Sequence, residues 1–188
     1  IAIIGDYEAL VVRSQTQVTA EVIRAGEKLQ VIARAGVGVD NIDVDEATRC
    51  GVVVVNAPTG NTISAAEHTI ALMLSLARHI PQANALLKSG VWQRSDFMGI
   101  EVRNKTLGII GLGNVGSEVA RRARGLEMKL IAYDPFISVD YAHNLQVELV
   151  LLEQLLKESD FITLHLPLTA LTKVFIGAKE LTLVKPAV

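Results

Sequence analysis

The sequence predicts an α/β protein in which two doubly wound parallel sheets follow one another along the chain. Three observations lead there. Short apolar runs of strand length recur, each followed by a segment with helical spacing of apolar and polar residues. The runs fall into two groups of three. Several of them, Val52-Val53-Val54-Val55 above all, lack the polar alternation of a half-exposed strand, so both faces should be covered, as in a parallel sheet between helices.

The first group of runs comprises residues 9–13, 30–35 and 52–56; the second comprises 106–110, 129–133 and 160–165. Asp43 with Glu46 and Ser64 with Glu67 have capping-box spacing, which marks helix starts because the paired side chains satisfy orphan amides. Gly51 and Gly90 suit helix C-termini. A long helical stretch over residues 62–89 is interrupted at Pro81, which lacks a backbone donor and should open a second helix. Residues 90–105 read as a loop that carries Trp92 and Phe97, and such aromatics need something to pack against, a partner subunit or their own domain. Pro58 and Gly60 bracket a turn, which places a domain change there: residues 1–57 first, residues 58–188 second. Glu127 stands where a glycine would more comfortably close a helix, and Gly125 offers that two residues earlier.

Composition narrows the function. With 188 residues, 50% of them hydrophobic, the chain can bury a sizeable core without staples. Eighteen basic against 20 acidic residues give a net charge of −2, and with no basic tract the phosphate neutralisation behind nucleic-acid binding is not expected. Aromatics at 4% argue against base-stacking platforms. No stretch has the uninterrupted apolar length of a membrane span. The single Cys50 cannot form an intramolecular disulfide or a cysteine-rich zinc site, so no metal is expected and the cytoplasm is the expected location. The chain opens on Ile1 inside an apolar stretch and reads as a fragment, both domains being incomplete.

The chemistry-bearing signal is a glycine fingerprint. The run at 106–110 leads directly into Gly111-Leu112-Gly113-Asn114-Val115-Gly116 and then a helical pattern. Gly111 permits a tight turn, Gly113 leaves room for a pyrophosphate, and Gly116 lets helix and strand approach closely. Amides at a helix start, with the positive end of its dipole, favour an anion there. The next strand ends at Asp134, 21 residues beyond Gly113, where a carboxylate accepts hydrogen bonds from the adenosine ribose. A carboxylate there would repel a 2′-phosphate, and Pro135-Phe136 supplies no arginine, so NAD is expected rather than NADP.

Taken with Val11-Val12-Arg13-Ser14, the segment Ala33 to Asp43, Asn56-Ala57-Pro58, Asn61-Thr62 and the segment Asp160 to Pro167, these residues resemble the D-specific 2-hydroxyacid dehydrogenase family over essentially the whole chain. The resemblance implies a flavodoxin-like substrate domain followed by a Rossmann NAD-binding domain, with the reaction in the cleft between them. It implies that Arg13 and Ser14 reach the anionic groups of a small substrate, that the Gly36-Val37-Gly38 amides meet its carboxylate, and that Asn61 lies beside them. On the cofactor side it implies pyrophosphate contacts from Asn114 and Val115 and an adenosine wall of Pro135, His165, Leu166, Pro167 and Thr172. His165 is then a cofactor-lining residue and not a general acid. The family's catalytic arginine, acid and histidine would lie beyond Lys185-Pro186, so no catalytic residue is expected within these 188 residues, which alone should be inactive and hold NAD weakly. The implied reaction is oxidation of a substrate 2-hydroxyl by hydride transfer to NAD, with Arg13 favouring a phosphorylated 2-hydroxy acid. Alternatives are a sister enzyme acting on glyoxylate, hydroxypyruvate or another 2-hydroxy acid, and a non-enzymatic NAD-sensing corepressor. The resemblance also implies a homodimer or homotetramer.

Overall fold

The computed structural model describes residues 3–169 and 171–186. It divides into two compact units, Ile1–Asn61 and Thr62–Val188.

In the first unit, strands β1 (Ala9–Val12), β2 (Val31–Arg34) and β3 (Val53–Asn56) alternate with helices α1 (Ala20–Ala25) and α2 (Val44–Arg49). The strands pair in parallel in the order β1-β2-β3. Strand periodicity sends Val12, Ile32 and their neighbours to one face, where they pack with Ile23 of α1 and Ala47 of α2. The other face departs from expectation. Among the described residues Val11, Val53 and Val55 stand exposed there, because both helices pack on the same side. The continuous valine run therefore lies in a sheet with one covered face.

One charged contact joins α1 to α2. Asp43 caps α2 by accepting from the Glu46 amide at 2.9 Å, which is one half of the predicted box. The Glu46 side chain does not return the bond. It turns inward, accepts from Arg24 Nε at 2.7 Å and lies against Arg49. The Arg24 hydrogen bond holds the Glu46 carboxyl below its ordinary value; desolvation opposes this, and the charges of Arg24 and Arg49 add to it. A depressed carboxyl contributes stability above its unfolded value and loses it as pH falls through the folded one. The Glu46→Gln variant is therefore expected to melt below the wild type at pH 7. The gap should close as the pH drops below about 4, the ordinary glutamate range. Thermal melts across that range check it, and a gap that widens in acid would refute it.

The second unit opens with α3 (Thr62–Ala77) and α4 (Ile80–Lys88). Pro81 lies in the first turn of α4, and His79, with φ of 51°, makes the break between the helices. Ser64 lies inside α3 and so does not cap it. Then β4 (Thr106–Ile110), α5 (Asn114–Gly125), β5 (Lys129–Tyr133), α6 (Val139–Asn144), β6 (Glu148–Leu149), α7 (Leu152–Glu158), β7 (Phe161–Leu164) and α8 (Ala178–Leu181) follow. The parallel sheet runs β6-β5-β4-β7. The edge strand β6, two residues long, is too short to register as an apolar run.

Both faces of this sheet are covered. Leu107 and Ile109 of β4 pack with Ala66, Met73, Val119, Ala120 and Ala123 from α3 and α5. Ile110 and Ile131 pack on the opposite face with Leu155 and Leu156 of α7. Gly108 is where α7 comes closest, since a Cβ there would meet Ser159 Oγ at 2.1 Å and Leu155 Cδ2 at 2.7 Å. The turn from α5 into β5 places the left-handed residue at Glu127, φ 58°, and not at Gly125, which ends the helix itself. The Glu127 carbonyl accepts from the Asn104 amide at 2.9 Å, and its carboxylate meets Arg103 Nε at 2.8 Å. These partners hold a conformation that costs a non-glycine residue about 1 kcal/mol.

Candidate functional site

The glycine loop links β4 to α5 at the C-terminal edge of the second sheet. Gly111 has φ of 90°, and its amide donates to the Tyr133 carbonyl at 3.0 Å, which pins the turn to β5. A Cβ on Gly111 would lie 2.6 Å from the His165 carbonyl. A Cβ on Gly116 would lie 2.0 Å from the Gly111 carbonyl oxygen, so the first turn of α5 rests directly on the loop. Gly113 differs: a Cβ there would meet nothing within 4 Å. It precedes α5 as its N-cap. The positive end of α5, whose first turn contains Asn114 and Val115, lies beside this open space and forms an anion cradle. The described residues thus fit a dinucleotide pyrophosphate.

Asp134, just beyond β5, carries more than the sequence suggested. Its Oδ2 accepts from the Leu112 amide at 2.8 Å and its Oδ1 from the Phe136 amide at 2.9 Å. Each carboxylate oxygen retains a further lone pair for a ribose hydroxyl, so the side chain shapes the loop and can receive a sugar. Beside it Pro135 leads to Phe136, which is 94% exposed and offers a flat apolar surface.

On the other flank, the His165 amide donates to Ile110 O at 2.8 Å, which continues the β7 ladder past Leu164. The His165 ring nitrogen Nε2 lies 2.9 Å from Thr163 Oγ1, a neutral partner. Burial lowers its pKa, so the ring is neutral at neutral pH. With a hydroxyl partner and no carboxylate at that bond, His165 is equipped to line a pocket. Leu166 packs into the α7-side core, and Pro167 O accepts from Thr172 Oγ1. Thr172 Oγ1 also accepts from the Thr169 amide at 2.8 Å, so this threonine ties Pro167 to Thr169.

The predicted substrate-side residues gather at the C-terminal edge of the first sheet. The register pairs Val12 with Arg34 and Arg34 with Asn56, which brings Arg13 and Ser14, the Gly36-Val37-Gly38 turn and the end of β3 to one edge. Asn61 closes this unit, next to α3. Two residues here escaped the sequence reading. Arg34 is a second cation at the edge, and its guanidinium lies where a Gly36 side chain would be, 1.5 Å from the ideal Cβ. Asn41 is 3% exposed and donates to Arg13 O at 3.1 Å and Thr16 O at 2.6 Å, which fixes the loop that presents Arg13. For Arg34 the available signal was the alignment of the strand ends: once β1 and β2 are parallel neighbours, Arg34 ends β2 opposite Val12, the residue before Arg13.

Among the described residues no group of three or more His, Cys, Asp or Glu side chains could hold a metal ion, and no helix is long and apolar enough to cross a membrane.

The parallel sheet, the glycine turn against a helix start and the aspartate at the next strand end define a dinucleotide-binding α/β protein. Residues 70–188 match the model of the D-isomer specific 2-hydroxyacid dehydrogenase, NAD binding domain, and the chain belongs to that family. It is 58% identical over 182 residues to the D-3-phosphoglycerate dehydrogenase of Archaeoglobus fulgidus, covering 97% of this chain and 34% of that protein. It is 48% identical over 182 residues to the Bacillus subtilis enzyme of the same name, covering 97% and 35%. Among solved structures it superposes on a D-lactate dehydrogenase from Aquifex aeolicus complexed with NAD and lactic acid, with a TM-score of 0.89 and 32% identity, over 97% of this chain and 55% of that one. The chain spans about a third of the length of these curated relatives.

Proposed function

We propose that this chain is the cofactor-holding part, with a piece of the substrate domain, of a cytoplasmic enzyme that oxidises 3-phospho-D-glycerate to 3-phosphohydroxypyruvate, the first step of phosphorylated serine biosynthesis. The observation that carries the reading is the glycine loop with Asp134 in a chain 48–58% identical to relatives named for that activity. Bound NAD supplies the hydride acceptor at its nicotinamide. The chain's own residues do the holding. The Gly113, Asn114 and Val115 segment receives the pyrophosphate at the start of α5, and Gly116 keeps that helix seated on the loop. Asp134 takes the ribose, and Pro135, His165, Leu166, Pro167 and Thr172 wall the adenosine. Arg13, Ser14 and the Gly36-Val37-Gly38 turn face the substrate's anionic groups, with Asn61 beside them. Arg34 supports the phosphorylated substrate, because two cations at one sheet edge suit a dianion better than one.

The test is turnover by the full-length protein with NAD against a panel of 2-hydroxy acids, followed by NADH absorbance. 3-Phosphoglycerate should be preferred over lactate and glycerate, and Arg34→Met should raise its KM more than that of an unphosphorylated acid. Equal rates on unphosphorylated acids would give the site to a sister reaction.

The same protein is proposed to be a homo-oligomer. In the second unit a groove of about 740 Å³ runs along α4 and the segment after it, lined by Ile80, Leu87, Val91, Trp92, Phe97 and Met98. Trp92 and Met98 are 75% and 83% exposed, a concentration of apolar surface that suits burial against a second copy. Sedimentation of the full-length protein should show a dimer or tetramer, and Trp92→Asp should shift it toward monomer; a monomeric wild type at micromolar concentration would refute the assignment.

A further inference from the structure

Both backbone polar atoms of Leu112, in the middle of the glycine loop, are held by side chains. The amide donates to Asp134. The carbonyl accepts from Ser117 Oγ at 2.9 Å, and Ser117 Oγ lies 3.0 Å from the Tyr141 hydroxyl. The direction of the second bond follows from donor arithmetic. A carbonyl only accepts and a serine hydroxyl has one proton, so Ser117 spends its proton on Leu112 and its oxygen must accept from Tyr141. Ser117 is buried at 4% exposure, whereas Tyr141 sits on α6 at 42%. The backbone of α6 is anchored separately, by Ser138 capping the Tyr141 amide.

We infer that Tyr141 is a positioning residue for the dinucleotide loop: it orients the Ser117 hydroxyl onto the Leu112 carbonyl and so holds the loop ready for the pyrophosphate. This deepens the NAD reading above and rests on it. The tyrosine touches no ligand. It acts through Ser117, and a chained pair of hydroxyls polarises each member, strengthening the bond to the loop. With Asp134 holding the 111–112 peptide and the two hydroxyls holding the 112–113 peptide, the loop can rotate neither without breaking one of these bonds.

The experiment uses the full-length protein and the variants Tyr141→Phe, Ser117→Ala and their combination. NAD affinity is measured by calorimetry, and hydrogen exchange of residues 111–116 is measured without NAD. Each single change should raise the Kd for NAD about three- to tenfold, the worth of one net hydrogen bond. The double variant should be no weaker than Ser117→Ala, since without the serine the tyrosine has nothing to orient. Exchange over residues 111–116 should quicken in Tyr141→Phe. KM for NAD should rise with kcat unchanged, because the loop holds the cofactor alike in ground and transition states. Effects that add in the double variant, or a Tyr141→Phe protein that melts earlier yet binds NAD and exchanges as the wild type does, would overturn the inference. A wild type that shows no saturable NAD binding would sink the proposed function instead, and the exchange measurement would still judge the hydroxyl chain.

Discussion

Replacing Gly116 with valine is expected to weaken NAD binding by about 100-fold or more while the rest of the protein stays folded. The added Cβ would fall 2.0 Å from the Gly111 carbonyl oxygen and 3.3 Å from Ile109 Cγ2. Neither the β4 backbone nor the loop can retreat, because the Gly111 amide is bonded to Tyr133 and Leu112 is fully buried. The start of α5 must therefore move away from the loop. Two charge-assisted amide contacts to phosphate, each worth about 1.5–3 kcal/mol, would be lost with it, which sets the expected size. Gly113→Ala is the control, since its methyl group would meet no protein atom within 4 Å. That variant should melt like the wild type, and any lost affinity reports contact with the ligand. Calorimetric titration of both in the full-length protein checks the pair. Unchanged NAD affinity in Gly116→Val would remove the glycine loop from the site.

The second large effect is expected at Asp134. Its replacement by alanine should weaken NAD by about 1.5–3 kcal/mol, the scale of hydrogen bonds to a charged acceptor. The structure adds a cost in stability, because the Leu112 amide, in a residue with no exposed surface, would lose its acceptor. An orphaned buried donor costs about 1–3 kcal/mol, so the melting temperature should fall together with the affinity. Discrimination against NADP should relax, since the repelling carboxylate is gone. Binding isotherms with both dinucleotides and a thermal melt measure the three consequences. If NAD affinity held while stability fell, Asp134 would be a loop anchor and nothing more.

Much of this site was legible because it is local. Gly111, Gly113 and Gly116 have a fixed spacing, the strand before them and the helix after them follow directly, and Asp134 ends the next strand. Gly51 and Gly90 take the left-handed conformation expected of helix ends, with φ of 71° and 84°. What stayed hidden depends on which faces and edges meet in three dimensions. The valines of β3 read as doubly buried, yet alternate ones are exposed, since a run of valines carries no signal of which face the helices take. Glu46 looked like a capping partner because its spacing from Asp43 is right; Arg24, 22 residues away, draws its side chain inward instead. The suspicion attached to Glu127 pointed to the correct turn, but the sequence suggested relief at Gly125, and the strain sits on the glutamate. Arg34 and Ser117 gain their roles only from cross-strand and loop-to-helix neighbours.

The bare valine side of the first sheet bears on how the protein can be dissected. Val11, Val53 and Val55 form a greasy plane bordered by β1 and β3, whose outer edges have no neighbouring strand among the described residues. That plane already faces water in the whole chain, a cut at Asn61 leaves it so, and pieces built around it stick to one another and form precipitates. Workers who want the two halves apart should expect to recover the dinucleotide half in solution and the other half in the pellet.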